Sequence, residues 1–181
     1  RRKDFKKEIV KMLGENHRRM RVVKAQRPPR QLEFTRAFNG YLIQTPDDIV
    51  EKRDKWQIIT GKKPAPSEFA DLEFAWKVVK HVRSNAIVVV RDKVMVGMGT
   101  GQPNRVNSVR LALAQAKSRG KGAVLASDAF FPFADNIEIA ASFGIKAIVA
   151  PKGSIRDEEV IAKANEKDIA LYFIETRHFK H

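Results

Sequence analysis

The feature that most constrains this chain is a regular alternation of short apolar runs with helical-period segments in its last third. Ala123 to Ala126 reads as a strand, Asp135 to Ser142 as a helix, Lys146 to Ala150 as a strand, Ile155 to Glu166 as a helix and Ile169 to Phe173 as a final strand. Strands joined through helices lie parallel in one sheet, which predicts an α/β layered fold. Upstream, Ala86 to Val90 and Val94 to Met98 read as two strands joined through Arg91-Asp92-Lys93. A hairpin feeding a parallel sheet makes that sheet mixed. Between the hairpin and the alternation, Arg105 to Lys117 has helical spacing.

The first third reads less sharply. Phe5, Ile9, Met12 and Leu13 recur at helical spacing over Asp4 to Arg19, and Arg21 to Ala25 reads as a strand ended by Arg27-Pro28-Pro29. Leu32 to Gln44 is expected to be extended, with a turn at Asn39-Gly40, and Trp56 to Thr60 to be another strand. Pro64 and Pro66 mark an expected lobe boundary, dividing the chain into 1–63 and 64–181. Beyond it Ser67 is expected to cap a helix running to Arg83, with Phe69, Leu72, Trp76 and Val79 on its apolar face.

Composition narrows the function classes. At 181 residues and 43% hydrophobic content the chain can bury roughly 70% of its unfolded surface, enough for one solid core or two small lobes. No stretch reaches the roughly 18 apolar residues of a membrane span, so no membrane association is expected. The absence of cysteine removes thiol nucleophiles and thiolate zinc sites and agrees with a reducing, cytoplasmic setting. Net charge is +14, and residues 1–36 supply +9 of it with 13 Lys and Arg against 4 Asp and Glu. A basic nucleic-acid-binding module using residues 1–36, through Arg18, Arg19 and Arg21, is therefore the alternative reading. No aromatic residues interleave those charges as a stacking platform, so nucleic acid is not the expected partner.

Three junctions between strands and helices can hold chemistry. Gly97-Met98-Gly99-Thr100-Gly101 ends a strand ahead of the helix that starts near Pro103. Its glycines either close a tight turn or let backbone amides face an anion, and Arg105, one step into the helix, favours the anion. Pro151-Lys152-Gly153-Ser154 precedes another helix, where Ser154 with Asp157 forms a capping box or lines a ligand. The run Ser127-Asp128-Ala129-Phe130-Phe131-Pro132-Phe133 places three phenylalanines around a proline, more than a small core can take. An aromatic wall at the carboxyl end of a strand suits a flat heterocycle, with Asp128 and Asp135 placed to hydrogen-bond its nitrogens. Of the histidines, His81 is expected to lie with Lys80 on a solvent-facing helix, and His17 has no partner in view. His178 and His181 belong to a C-terminal Arg177-His178-Phe179-Lys180-His181 that either binds phosphate or docks the tail.

Taken together, Ser84-Asn85-Ala86, Gly99 to Arg105, Ser127 to Phe133 and Arg177 to His181 resemble the AICAR transformylase/IMP cyclohydrolase family in its C-terminal transformylase region. The order and spacing match from about Asp71 to His181 and more loosely back to the start. The resemblance implies a cytidine-deaminase-like layered fold with a mixed sheet, nearly all of the second copy lying here behind the tail end of the first. It implies formyl transfer from 10-formyltetrahydrofolate to AICAR ribonucleotide, a step in purine biosynthesis that requires no metal. By the same resemblance Asn85, Arg105, Phe130 and Arg177 contact AICAR, Asn85 doubling as the catalytic amide. Pro132, Phe133, Asp135, Asn136 and Ser154 take the folate side. The family's catalytic lysine–histidine pair is followed by proline and glycine, whereas Lys80-His81 is followed by Val82-Arg83-Ser84 and is not that pair. The arginine–tyrosine–glycine segment and the cyclohydrolase domain are unmatched as well, and the chain opens at Arg1 rather than Met. The expectation is a C-terminal fragment that carries half of a transformylase site, as a homodimer or beside an N-terminal lobe.

Overall fold

The computed structural model describes residues 32–49 and 51–181, together with helical positions at Glu8, Lys11, Met12 and Glu15. The helix expected over 4–19 is represented by those four positions. Its remainder, with His17, the strand expected over 21–25 and the Arg18, Arg19 and Arg21 cluster, lies outside the described residues.

The chain divides into two compact units, 1–46 and 47–181. In the first, β1 (Glu33–Ala37) and β2 (Gly40–Gln44) form an antiparallel hairpin. Its turn is Phe38-Asn39, one residue earlier than expected, with Phe38 at φ 51° and Gly40 already paired to Ala37. This register sets Phe34 against Ile43 and Arg36 against Tyr41, putting the large side chains of the two strands opposite one another.

In the second unit a six-stranded sheet runs in the order β3 (Gln57–Ile58), β8 (Ala170–Ile174), β7 (Ala147–Pro151), β6 (Val124–Ser127), β4 (Ile87–Arg91), β5 (Val94–Gly99). β6, β7 and β8 are parallel, while β4 pairs antiparallel with β5 and β6, and β3 with β8. The sheet is mixed, as the hairpin requires. Helix α1 (Pro66–Val79) covers one face through Leu72, Ala75, Trp76 and Val79. Helices α2 (Arg105–Ala116), α3 (Asp135–Ser142) and α4 (Asp157–Glu166) cover the other, packing on Ile87, Leu125, Ile148 and Leu171. Both faces being covered, the central strands β6 and β7 are buried at every residue rather than alternating.

Three local expectations change. Ser67 does not cap α1; Ala65 occupies the cap, Pro66 opens the helix, and Glu68 accepts from the Ala65 N–H at 2.8 Å. Proline fits this first turn because its missing donor would have had no partner there. The helix ends at Val79 rather than Arg83. Finally, the stretch around Pro64–Pro66 belongs to the second unit, which begins at Asp47. Long-range contacts hold the preceding segment there: β3 pairs with β8, Trp56 sits 5.5 Å from Phe69 and 6.0 Å from Tyr172, and Leu171 N–H donates to Thr60 Oγ1 at 2.9 Å.

The β4–β5 turn is built as its sequence suggests. Asp92 and Lys93 take φ 53° and 57°, and their N–H groups both donate to the carboxylate of Asp71, each at 2.8 Å. Glycine at 97 and 99 serves close approach between β5 and α2. A Cβ there would stand 2.0 Å from Ala112 O and 1.9 Å from Ser108 O, so β5 touches α2 through bare backbone.

Candidate functional site

Because β6, β7 and β8 are parallel and β4 is antiparallel to them, one end of the sheet collects several chain segments. These are the carboxyl ends of three strands, the entry to β4 and the exit from β5. Asn85, Arg105, Phe130, Ser154 and Arg177 all stand on those segments. A cleft of about 280 Å³ opens there, and Asn85, Asn104, Arg105, Phe130, Pro132 and Phe179 are among the residues that line it.

Its floor is a buried ion pair. Arg105, 6% exposed, is salt-bridged through Nη1 to the fully buried Asp128. Nη1 also donates to Ser127 Oγ at 2.9 Å, and Nη2 donates to Asn85 Oδ1 at 2.8 Å. Asp128 further accepts from Ser84 Oγ and, at 3.1 Å, from the Ala86 N–H. The Ser84–Asn85 peptide is cis. Asn85 Nδ2 gives one hydrogen to Gln102 O at 2.8 Å, and a second hydrogen remains on that nitrogen. Ser108 Oγ donates to the Asn85 carbonyl at 2.7 Å.

This geometry corrects the reading of Asp128, which is buried and engaged by three protein donors and so does not face a ligand's ring nitrogens. It also changes the part Arg105 plays: its charge is compensated from below, so what it offers the cleft is a fixed edge of donors rather than an open cation. Asn104, the residue before it, caps α2 by accepting from the Asn107 N–H at 3.1 Å.

The three phenylalanines part company as their number demands. Phe131 is 2% exposed in the core, Phe130 is half-buried at the cleft, and Phe133 is 49% exposed. Each of the two outward rings carries an arginine 4.7 Å from its centroid, Arg177 over Phe130 and Arg156 over Phe133. Arg177 is exposed and lies so close to Gly153, φ 111°, that a Cβ at 153 would stand 2.6 Å from its Nη2. The exposed Arg177 end can shift away from a Cβ, so it is the φ of 111° that calls for glycine at 153, a role the sequence did not reveal.

Just after Phe133, Asp135 is exposed and Asn136 is buried. Asn136 Nδ2 donates to Phe133 O at 3.1 Å and to Asp135 Oδ1 at 2.7 Å, which fixes the turn that presents the ring. The expected capping box does not form: the helix begins at Asp157 with Arg156 at its cap and no side-chain cap bond, two residues later than the sequence suggests. Asp157 instead ties the preceding turn, accepting from the Gly153 and Ser154 N–H groups at 2.7 and 3.2 Å, and Ser154 Oγ accepts from the Arg156 N–H at 3.2 Å. Phe179 and Asn104 line the cleft although neither stood out alone; both fall within motifs of the sequence, and only their convergence singles them out. Lys80 is half-buried rather than solvent-facing, with Nζ donating to the Asp47 and Ile49 carbonyls, each at 3.1 Å. His81 is exposed, and partial desolvation, then Lys80 and Lys180, push its pKa below the ordinary 6.5. Among the described residues no helix is long and apolar enough to cross a membrane.

Fold and cleft define an α/β module whose polar and aromatic groups gather at one end of a mixed sheet. The chain belongs to the AICARFT/IMPCHase bienzyme family, whose model matches residues 2–115. It is 52% identical over 149 residues to the bifunctional purine biosynthesis protein PurH of Streptococcus suis (strain 05ZYH33), covering 82% of this chain and 29% of that protein. The PurH of Streptococcus uberis is 51% identical over 151 residues, covering 83% and 29%. The chain thus spans under a third of the length of these curated relatives. Among solved structures, Acinetobacter baumannii RibD, form 1, aligns with a TM-score of 0.42 and 18% identity over 60% of this chain and 34% of that one.

Proposed function

We propose that this chain forms part of an AICAR transformylase in purine biosynthesis, holding AICAR ribonucleotide and 10-formyltetrahydrofolate at the end of the second unit's sheet. The observation that carries this reading is the meeting of Asn85, Arg105 and Phe130, three groups distant in sequence, around one cleft. Asn85, Phe130 and Arg177 serve the nucleotide with Arg105 beneath them; Pro132, Phe133, Asp135, Asn136 and Ser154 serve the folate. The mixed sheet with helices on both faces supports a cytidine-deaminase-like layering for this lobe, with residues up to 63 read as the end of a preceding copy.

In the transfer, the AICAR amine attacks the formyl carbon, the bond from that carbon to the folate nitrogen breaks, and the amine proton is passed on as the folate nitrogen gains one. The amine is a poor nucleophile because its lone pair is delocalised into the ring, so a base is needed as it attacks and donors must meet the oxyanion. The second Nδ2 hydrogen of Asn85 is such a donor. The base is read as coming from outside this set of residues, from a second copy or an N-terminal lobe, because Lys80-His81 is followed by Val82-Arg83-Ser84 and does not match the family's lysine–histidine motif.

Calorimetric titration tests the reading. Arg177→Ala is expected to weaken AICAR ribonucleotide by about 10- to 100-fold, the value of one charged hydrogen bond. Phe133→Ala is expected to weaken a reduced-folate analogue and spare the nucleotide. Neutralising Arg18, Arg19 and Arg21 is expected to change neither. Binding of an oligonucleotide alone, lost only with those three arginines and falling steeply with salt, refutes the proposal.

A further inference from the structure

After β8 the chain has no regular structure, yet residues 177 and 179 bring two groups to the cleft, Arg177 over Phe130 and Phe179 in its lining. Between them His178 turns inward and is 1% exposed. In an extended segment neighbouring side chains leave opposite sides of the backbone, so burying the middle residue of three aims its neighbours outward.

The burial is specific. The ring Nδ1 lies 2.5 Å from Asp47 Oδ2, and the ring rests on Trp76 with centroids 4.7 Å apart. Trp76 Nε1 donates to Glu51 Oε2 at 2.7 Å, and that oxygen lies 3.9 Å from His178 Nε2. His178 Nε2 and Glu51 Oε1 are both buried without a hydrogen-bond partner. An apolar side chain would fill this place without the cost of desolvating polar atoms, so space filling alone does not account for an imidazole here. The backbone is pinned at the same point: His178 N–H donates to Asp128 O at 2.9 Å, and Ser84 N–H donates to Lys180 O at 2.8 Å. Ser84 and Asp128 are themselves joined by a hydrogen bond and belong to the network under the cleft.

We propose that His178 is a positioning residue, a latch whose buried ring, held by Asp47 and Trp76, sets the C-terminal segment so that Arg177 and Phe179 meet the nucleotide. The nucleotide part rests on the function proposed above; the latch itself does not.

The test uses the whole chain with His178→Ala, His178→Gln and Asp47→Ala, read by amide hydrogen exchange over 175–181 and by calorimetry with AICAR ribonucleotide. His178→Ala is expected to speed exchange across the tail by at least about tenfold while β6 and β7 stay protected. It is expected to weaken the nucleotide by about tenfold or more, and His178→Gln, which keeps a donor for Asp47, to recover most of both losses. Asp47→Ala, at a side chain 39% exposed, removes the partner without hollowing the core and is expected to move both readouts the same way. Should His178→Ala fail to fold, Asp47→Ala decides. Wild-type tail protection in the variants overturns the latch, and faster tail exchange with unchanged nucleotide affinity overturns its role in setting Arg177 and Phe179 for the nucleotide. Failure of the wild-type chain to bind AICAR ribonucleotide overturns the functional reading, and exchange then decides the latch alone.

Discussion

Replacing Arg105 by Met removes the cation beneath the cleft while keeping most of the side chain's volume. Arg105 is 6% exposed and Asp128 is fully buried, so the substitution strands a carboxylate with two neutral donors, Ser84 Oγ and the Ala86 N–H, in a place water does not reach. Breaking a buried pair from one side costs about 3–5 kcal/mol. Asn85 Oδ1 and Ser127 Oγ each lose a donor too, but these losses overlap with the first and are not added to it. At about 2–4 °C per kcal/mol for a chain of this size, the melting temperature is expected to fall by about 6–20 °C. Urea unfolding followed by tryptophan fluorescence measures the free energy directly. Adding Asp128→Asn to the variant relieves the stranded charge, so the double substitution is expected to recover about 2–3 kcal/mol relative to additivity. A loss below about 1 kcal/mol for Arg105→Met, or strict additivity in the double variant, refutes the reading of this pair as the structural floor of the site. The result also governs how binding is measured. Arg105 variants need a temperature at which they stay folded, whereas Arg177, being exposed, reports on ligand without that complication.

Other expectations follow from packing and charge. Gly99→Ala places a methyl 1.9 Å from Ser108 O and has to push α2 off β5, at a cost of about 3 kcal/mol or more in a denaturation experiment. Asp71→Ala orphans the two N–H groups of the β4–β5 turn and is expected to cost about 2–4 kcal/mol, with faster exchange of the Asp92 and Lys93 amides as the direct sign. Hydrogen bonds from Lys163, then Lys167, hold the Glu166 carboxyl at about 2, below its ordinary 4.5. A depressed carboxyl lends stability that is present above pH 4.5 and lost as pH falls toward 2; carbon NMR should find the low midpoint, and Lys163→Met should raise it toward 4.5.

The order and kind of elements from Pro66 onward were legible because each carries its own period. Asp135 to Ser142 is helical just as its spacing implies, and the strands differ from expectation only at their ends. The turn at Asp92-Lys93 was legible for the same reason, whereas Ser154 and Asp157 meet in the turn ahead of the last helix and leave its cap to Arg156. Family membership was legible too, because the motifs that carry it are contiguous strings. The site residues were therefore nameable, but their duties were not. Asp128 reads as a ligand contact until β6 pairs with β4 and brings Ala86 and Ser84 to its carboxylate. Gly97 and Gly99 read as either a tight turn or an anion-facing backbone until α2 lies against β5 and shows the close approach they permit. His178 is one basic residue in a basic tail until Asp47 and Trp76, more than a hundred residues earlier, enclose it. A side chain's period is set by its neighbours in the chain, and sequence carries it. Whether that side chain is paired, buried or free for a ligand is set by segments that come close only when the sheet assembles, and tertiary structure alone decides it.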